Sequence, residues 1–104
     1  MTGKIRLTPR AKEDLRKIGR YTQKTWGKAQ RNNYLRALDS RFAWLADKPG
    51  RGRLRADVAE GYYCFPQGLH LIFYLILDDG IAIIGVPHQL MDIARHLTGD
   101  DSGA

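Results

Sequence analysis

Between Ala56 and Ala94 the chain carries no lysine and no arginine, and that stretch is built from runs of aromatic and branched aliphatic residues. Gly61–Phe65, Leu69–Leu77 and Ile81–Val86 are such runs, with Gln67-Gly68 and Asp78-Asp79-Gly80 between them. Runs of this composition split by turn-forming residues predict three strands in consecutive hairpins. Pro87 closes the last strand, because proline has no N–H to give a ladder. A short terminal helix or turn is expected over 88–97.

Sixteen of the seventeen lysines and arginines lie between Lys4 and Arg55, against four acids, so residues 1–55 carry a net +12. Residues 56–104 hold Arg95 and seven acids, a net −6. The cationic half reads as a short strand and two helices. Lys4–Leu7 alternates polar and apolar residues. Thr8-Pro9 opens a helix, since the hydroxyl can accept from an orphan amide and proline suits the first helical position. Ala11, Leu15, Ile18, Thr22 and Trp26 then recur every three or four residues as one buried stripe. Gly19 inside this helix suggests close packing against another backbone. Gly27 ends it.

A second helix is expected from about Lys28 to Asp47, with Tyr34, Leu35, Leu38, Phe42 and Leu45 as its stripe and Pro49-Gly50 as its stop. Trp26, Trp44, Tyr34 and Phe42 are candidates for the core, and Trp44 could equally line a partner groove. Residues 50–55, GRGRLR, read as a basic loop or strand entry. The sum is an α+β fold, β-α-α-β-β-β, an antiparallel sheet with an N-terminal helical hairpin packed on one face. Residues 1–97 are expected to form one domain and 98–104 a flexible acidic tail.

Several function classes are disfavoured. The longest apolar run, Leu71–Leu77, is far short of the ~20 residues of a membrane helix, and MTGKIRLTPR has no apolar signal region, so a cytoplasmic location is expected. One cysteine, Cys64, permits no internal disulfide and reads as a small core residue. No Cys, His, Asp or Glu cluster has metal-ligand spacing, so neither a metal nor a cofactor is expected. No phosphate loop and no DNA-reading motif is visible, so direct sequence-specific DNA binding is not expected. For phosphoryl chemistry the nearest groups are Arg53, Arg55, Tyr74, His88 and Arg95, and the three strands between 61 and 86 supply no cation to stabilise phosphate charge. His70 shares a strand face with Ile72 and Tyr74 and reads as a surface or satisfied histidine. His88 is expected to hydrogen-bond locally.

Three segments, LTPRAKEDLRKIGRYTQKTWG at 7–27, LADKPGRGRLR at 45–55 and HLIFYLILDDGIAIIGVPHQLMDIARHL at 70–97, occur in an order and spacing that resembles the ParE branch of the RelE/ParE toxin superfamily. The most specific parts are Trp26-Gly27, Phe73-Tyr74 followed by Asp79-Gly80-Ile81, and His88-Gln89 followed by Met91-Asp92. The resemblance implies the toxin of a type II toxin–antitoxin system, serving plasmid or chromosome maintenance. It implies a protein-binding poison that traps the cleaved-DNA complex of DNA gyrase and has no catalytic residues of its own. It also implies a ParD-like antitoxin in a hetero-oligomer. Where ParE-like chains commonly carry arginine, this one has Tyr63, Leu69, Leu75 and Leu90, and Gly85 stands at another commonly basic position. The competing readings are a RelE-like ribosome-dependent mRNA interferase and a non-toxic member that only binds antitoxin.

On charge, the antitoxin surface is expected at Arg10, Lys17, Arg20, Lys24, Trp44, Arg51, Arg53 and Arg55, with an exposed strand edge available for β-augmentation. The resemblance places target contact at His88, Gln89, Met91, Asp92 and Arg95.

Overall fold

The computed structural model describes residues 3–98. The chain runs through β1 (Lys4–Leu7), α1 (Pro9–Trp26), α2 (Lys28–Asp47), a 3-10 turn at Pro49–Arg51, β2 (Arg53–Leu54), β3 (Tyr63–Gln67), β4 (His70–Leu77), β5 (Gly80–Gly85) and α3 (Ile93–Thr98). The five strands form one sheet in the order β1-β5-β4-β3-β2. β2 through β5 pair antiparallel, as expected. β1 does not: it runs parallel to β5, with Ile5 opposite Ile81 and Leu7 opposite Ile83. The sheet is therefore mixed: the helical hairpin carries the chain from β1 to the far edge at β2, and the antiparallel run β2–β5 returns across the sheet to lay β5 beside β1 in the same direction.

Local chemistry accounts for the hairpin. The Thr8 hydroxyl accepts from the Ala11 N–H at 3.1 Å and donates to the Ile84 carbonyl at 2.9 Å, so the cap of α1 is also a tie to the sheet. Gly27, at φ 97°, separates the helices with a backbone turn that side chains resist. Ala11, Ile18, Leu38, Phe42 and Leu45 bury one face of the hairpin against Ile72, Tyr74, Ile81 and Ile83. Each such aliphatic side chain removed from water contributes about 1.5–3 kcal/mol. Gly19 faces side chains, Leu35 and Arg31, and not another backbone as expected.

The opposite sheet face carries Cys64, Phe73, Leu71 and Ile84. It is partly covered by Ile93 and Leu97 of α3 and by Val58 and Tyr62 of the loop before β3. Gly85 permits this closure: a Cβ there would lie 2.5 Å from Leu97 Cδ2. The acidic stretch expected as a tail begins at Thr98, the last residue of α3, and the remainder lies outside the described residues.

Trp26 is not in the core. It is 70% exposed, and all of residues 23–30 are exposed. The apolar stripe of α1 continues to the end of its 18 residues, but the sheet beneath it does not reach that far, so burial ends at Thr22.

Candidate functional site

Where the hairpin overhangs the sheet, a groove of about 1220 Å³ opens. One wall is α1, with Arg10, Lys17, Ile18, Tyr21 and Trp26. The α2 residues Gln30 and Tyr34 and the start of β4 (Leu69 and His70) also line it. The other wall is the segment after β5, with His88, Met91, Asp92 and Arg95. Tyr21, Trp26, Leu69 and Met91 are exposed large apolar residues facing one concavity, and Leu90 beside them is 85% exposed. Clustered exposure of this kind marks an interaction surface.

The second wall is held by a buried carboxylate. Asp14 is 6% exposed, and its Oδ2 accepts from the Val86 N–H at 2.8 Å and, with Oδ1, from His96 Nε2 at 2.9 Å. The floor is held by Tyr34. Its hydroxyl accepts from the Leu69 N–H at 3.0 Å, donates to the Gln67 carbonyl at 3.3 Å and lies within hydrogen-bond distance of His70 Nδ1, at 2.7 Å. Burial, reinforced by the neighbouring His88, pushes the His70 pKa down to about 4, so the imidazole is neutral near pH 7. His70 is thus a satisfied histidine. His88 bonds locally as expected, its Nδ1 accepting from the Leu90 N–H at 3.1 Å.

The rim is cationic. Glu13 pairs with Arg16 at 2.9 Å and Arg20 at 3.7 Å, whereas Arg10, Lys17 and Arg95 have no ion-pair partner among the described residues. Exposed pairs contribute little to stability, so the unpaired cations matter for what they attract.

The residues assigned from sequence redistribute over two surfaces. Arg10 and Lys17, assigned to the antitoxin, share the groove with His88, Met91, Asp92 and Arg95, assigned to the target. Gln89 adjoins it, its N–H donating to the Leu69 carbonyl at 3.0 Å. Arg20 and Lys24 lie on the exposed side of α1. Trp44, Arg51 and Arg53 lie elsewhere, at the end of α2, in the 3-10 turn and on β2. There Arg41 and Arg51 both stack over the Trp44 ring, at 4.5 and 4.2 Å from its centre. Arg55 is engaged within the chain: it clasps the exposed Asp57 through two 2.9 Å hydrogen bonds, holding that carboxyl below the usual range, and its guanidinium lies 5.8 Å from the Phe73 ring centre.

Of the groups considered for phosphoryl chemistry, Tyr74 is fully buried, its hydroxyl donating to the Pro49 carbonyl and accepting from the Gly52 N–H. Burial raises both its pKa and that of the Cys64 thiol. Asp14, Tyr21, Tyr34 and Arg41 had no place in the sequence-derived site. Only Arg41 left a signal, its three-residue spacing from Trp44 on one helix face.

A family model for the ParE toxin of the type II toxin–antitoxin system parDE matches residues 5–93. The chain belongs to the ParE toxin family. It is 36% identical over 92 residues to Toxin ParE1 of Caulobacter vibrioides, covering 88% of this chain and 95% of that one. It is 34% identical over 98 residues to Toxin ParE1 of Mycobacterium tuberculosis, covering 93% and 100%. A chain of the chromosomal ParDE system from P. aeruginosa has the same fold, with a TM-score of 0.71 at 13% identity over 84% of this chain and 96% of that one. A chain of the toxin–antitoxin complex RelBE2 from Mycobacterium tuberculosis aligns with a TM-score of 0.60 at 26% identity, covering 86% and 100%. The chain is thus a toxin of a type II toxin–antitoxin system, and no helix among the described residues of this ParE-family toxin is long and apolar enough to cross a membrane.

Proposed function

We propose that this toxin acts in the cytoplasm by binding DNA gyrase and stabilising its cleaved-DNA complex, and that a ParD-like antitoxin neutralises it by filling the groove between α1 and the 88–96 segment. The observation that carries the reading is the composition of that groove: an apolar lining with Tyr21, Trp26, Leu69 and Met91, rimmed by the cations Arg10, Lys17 and Arg95. Such a channel suits an amphipathic segment with acidic flanks. Because the proposed target-contact residues form one wall of it, an antitoxin lying in the groove excludes the target sterically.

Action by binding, and not by catalysis, is supported by the strands. From β3 to β5 they carry no lysine or arginine, and Tyr74 is consumed in a structural hydrogen-bond pair. A 2′-hydroxyl attack on RNA would lack electrostatic support there.

The test is induction of the toxin with and without its antitoxin, followed by supercoiling, cleavage-complex and translation assays in parallel. Cleaved plasmid trapped with purified gyrase, and relieved by antitoxin, is the expected result. Ribosome-dependent cutting of message with gyrase unaffected overturns it. Inactivity in all assays, with tight antitoxin binding retained, identifies a non-toxic member.

A further inference from the structure

The first helix carries much of its charge in a row. Lys12, Arg16, Arg20 and Lys24 recur every four residues on the exposed side of α1, and Lys28 opens α2 just beyond Gly27. Residues four apart share a helix face, so the four α1 cations form a ridge about 18 Å long. None of these five side chains lines the groove. The ridge is short of counter-charge. Residues 15–38 hold seven lysines and arginines and no acid. Glu13 reaches Arg16 at 2.9 Å and Arg20 at 3.7 Å, whereas Lys12, Lys24 and Lys28 have no ion-pair partner among the described residues. Like charges four apart on a helix repel, so the row works against folding.

Arg31 adds a fixed cation from α2. A Cβ at Gly19 would lie 3.8 Å from Arg31 Cδ, so its stem lies close against α1. Its Nε and Nη2 donate to Asn32 Oδ1 at 3.1 and 2.8 Å, and Nη1 donates to Gln23 Oε1 on α1. These neutral amides orient the guanidinium and cancel none of its charge.

The chemistry of the ridge selects its partner. The exposed residues beside the cations, Gln23 and Thr25, are polar, and the exposed aromatics Tyr21 and Trp26 line the groove. The ridge therefore lacks the apolar anchors that a protein interface relies on. It also lacks an aromatic face on which an unstacked base could lie, as single-stranded nucleic acid requires. A rigid row of uncompensated cations suits a regular polyanion, and duplex DNA presents about one phosphate per 1.7 Å of its axis. Contacts of this kind fix position and carry no sequence preference.

We infer that the outer ridge of the hairpin, Lys12 to Lys24 with Lys28 and Arg31, docks on the phosphate backbone of duplex DNA, and that through it the toxin grips the DNA that gyrase holds. The second half rests on the gyrase reading above, whereas the DNA contact is measured without gyrase.

The test titrates the full-length toxin into a fluorescein-labelled DNA duplex of random sequence over a series of salt concentrations. The triple variant Lys12→Gln, Arg20→Gln, Lys24→Gln leaves Arg16 to pair with Glu13. It is expected to bind the duplex about ten- to a hundredfold more weakly at low salt, and to flatten the slope of log affinity against log salt by about three, with unchanged thermal melting. The control Lys4→Gln, Arg6→Gln, Lys48→Gln removes the same charge from β1 and the end of α2, and is expected to bind as the wild type does. With purified gyrase, the ridge variant is expected to retain gyrase binding but to trap about tenfold less cleaved plasmid. Unchanged duplex affinity of the ridge variant, or an equal loss in the control, overturns the inference. A loss seen with an RNA duplex and not with DNA also overturns it. Undiminished trapping by the ridge variant removes the grip on gyrase-held DNA and leaves the gyrase reading standing. A wild-type toxin that binds the duplex through the ridge yet traps no cleaved plasmid leaves the DNA contact standing and sinks the gyrase reading.

Discussion

Asp14 and His96, 82 positions apart, meet carboxylate to imidazole at 2.9 Å, and the same carboxylate caps the Val86 N–H at the end of β5. The first helix therefore holds the last one in place. Asp14→Ala removes the acceptor from the Val86 N–H and from the partly exposed His96 imidazole and is expected to cost about 1–3 kcal/mol, read as a fall in the urea midpoint. An unchanged midpoint would show that the contact is dispensable.

Gly85 controls the same closure from the sheet side. An added Cβ meets Leu97 at 2.5 Å and the Asp14 carboxylate at 3.2 Å. Gly85→Ala should cost about 1–3 kcal/mol through overpacking. Gly85→Arg should lift α3 from the sheet. Hydrogen exchange is expected to speed up at residues 93–98 while α1 and α2 keep their protection.

His70 predicts an acid-sensitive groove. Its folded pKa, held down to about 4 first by burial and then by His88, lies below the unfolded value of about 6.5. Between these values the unfolded chain binds a proton that the folded one excludes, so stability is full above pH ~6.5 and is lost as pH falls toward ~4. For a half-exposed group the loss should be about 1–2 kcal/mol. His70→Asn, which keeps a hydrogen-bonding group near Tyr34 but does not titrate, should flatten this slope in denaturation measured across that range.

Trp26 separates binding from folding. Because it is largely exposed, Trp26→Ala should change stability by no more than about 0.5 kcal/mol. In the proposed groove it is an aromatic anchor, so the same variant should weaken antitoxin binding by about 2 kcal/mol, measured calorimetrically. A stability loss without an affinity loss would return it to the core.

Much of the fold was legible because its signals are local. Thr8-Pro9 as a helix start, Gly27 as a break, Pro49-Gly50 as a stop and the two β-turns stand within a residue or two of their expected places. Capping, backbone freedom and side-chain periodicity act over a few residues and need no knowledge of the rest. The site was less legible. Arg10 and Arg95 share a rim, but they come from opposite ends of the chain, and no spacing rule connects them. Asp14 resembles any other charge on a helix until the end of β5 and α3 arrive to surround it.

By itself, then, the order of residues settled which segments coil, which extend and where each stops, and it placed the cations almost wholly in the first half. Tertiary packing alone decided that β1 joins the sheet parallel to β5, that Trp26 stays in water while Thr22 is covered, and that one apolar channel unites α1 with the segment after β5. The physical reason is reach. Propensity is fixed by neighbours along the chain, whereas burial depends on how far the sheet extends beneath a helix and on which distant donor meets a carboxylate withdrawn from solvent.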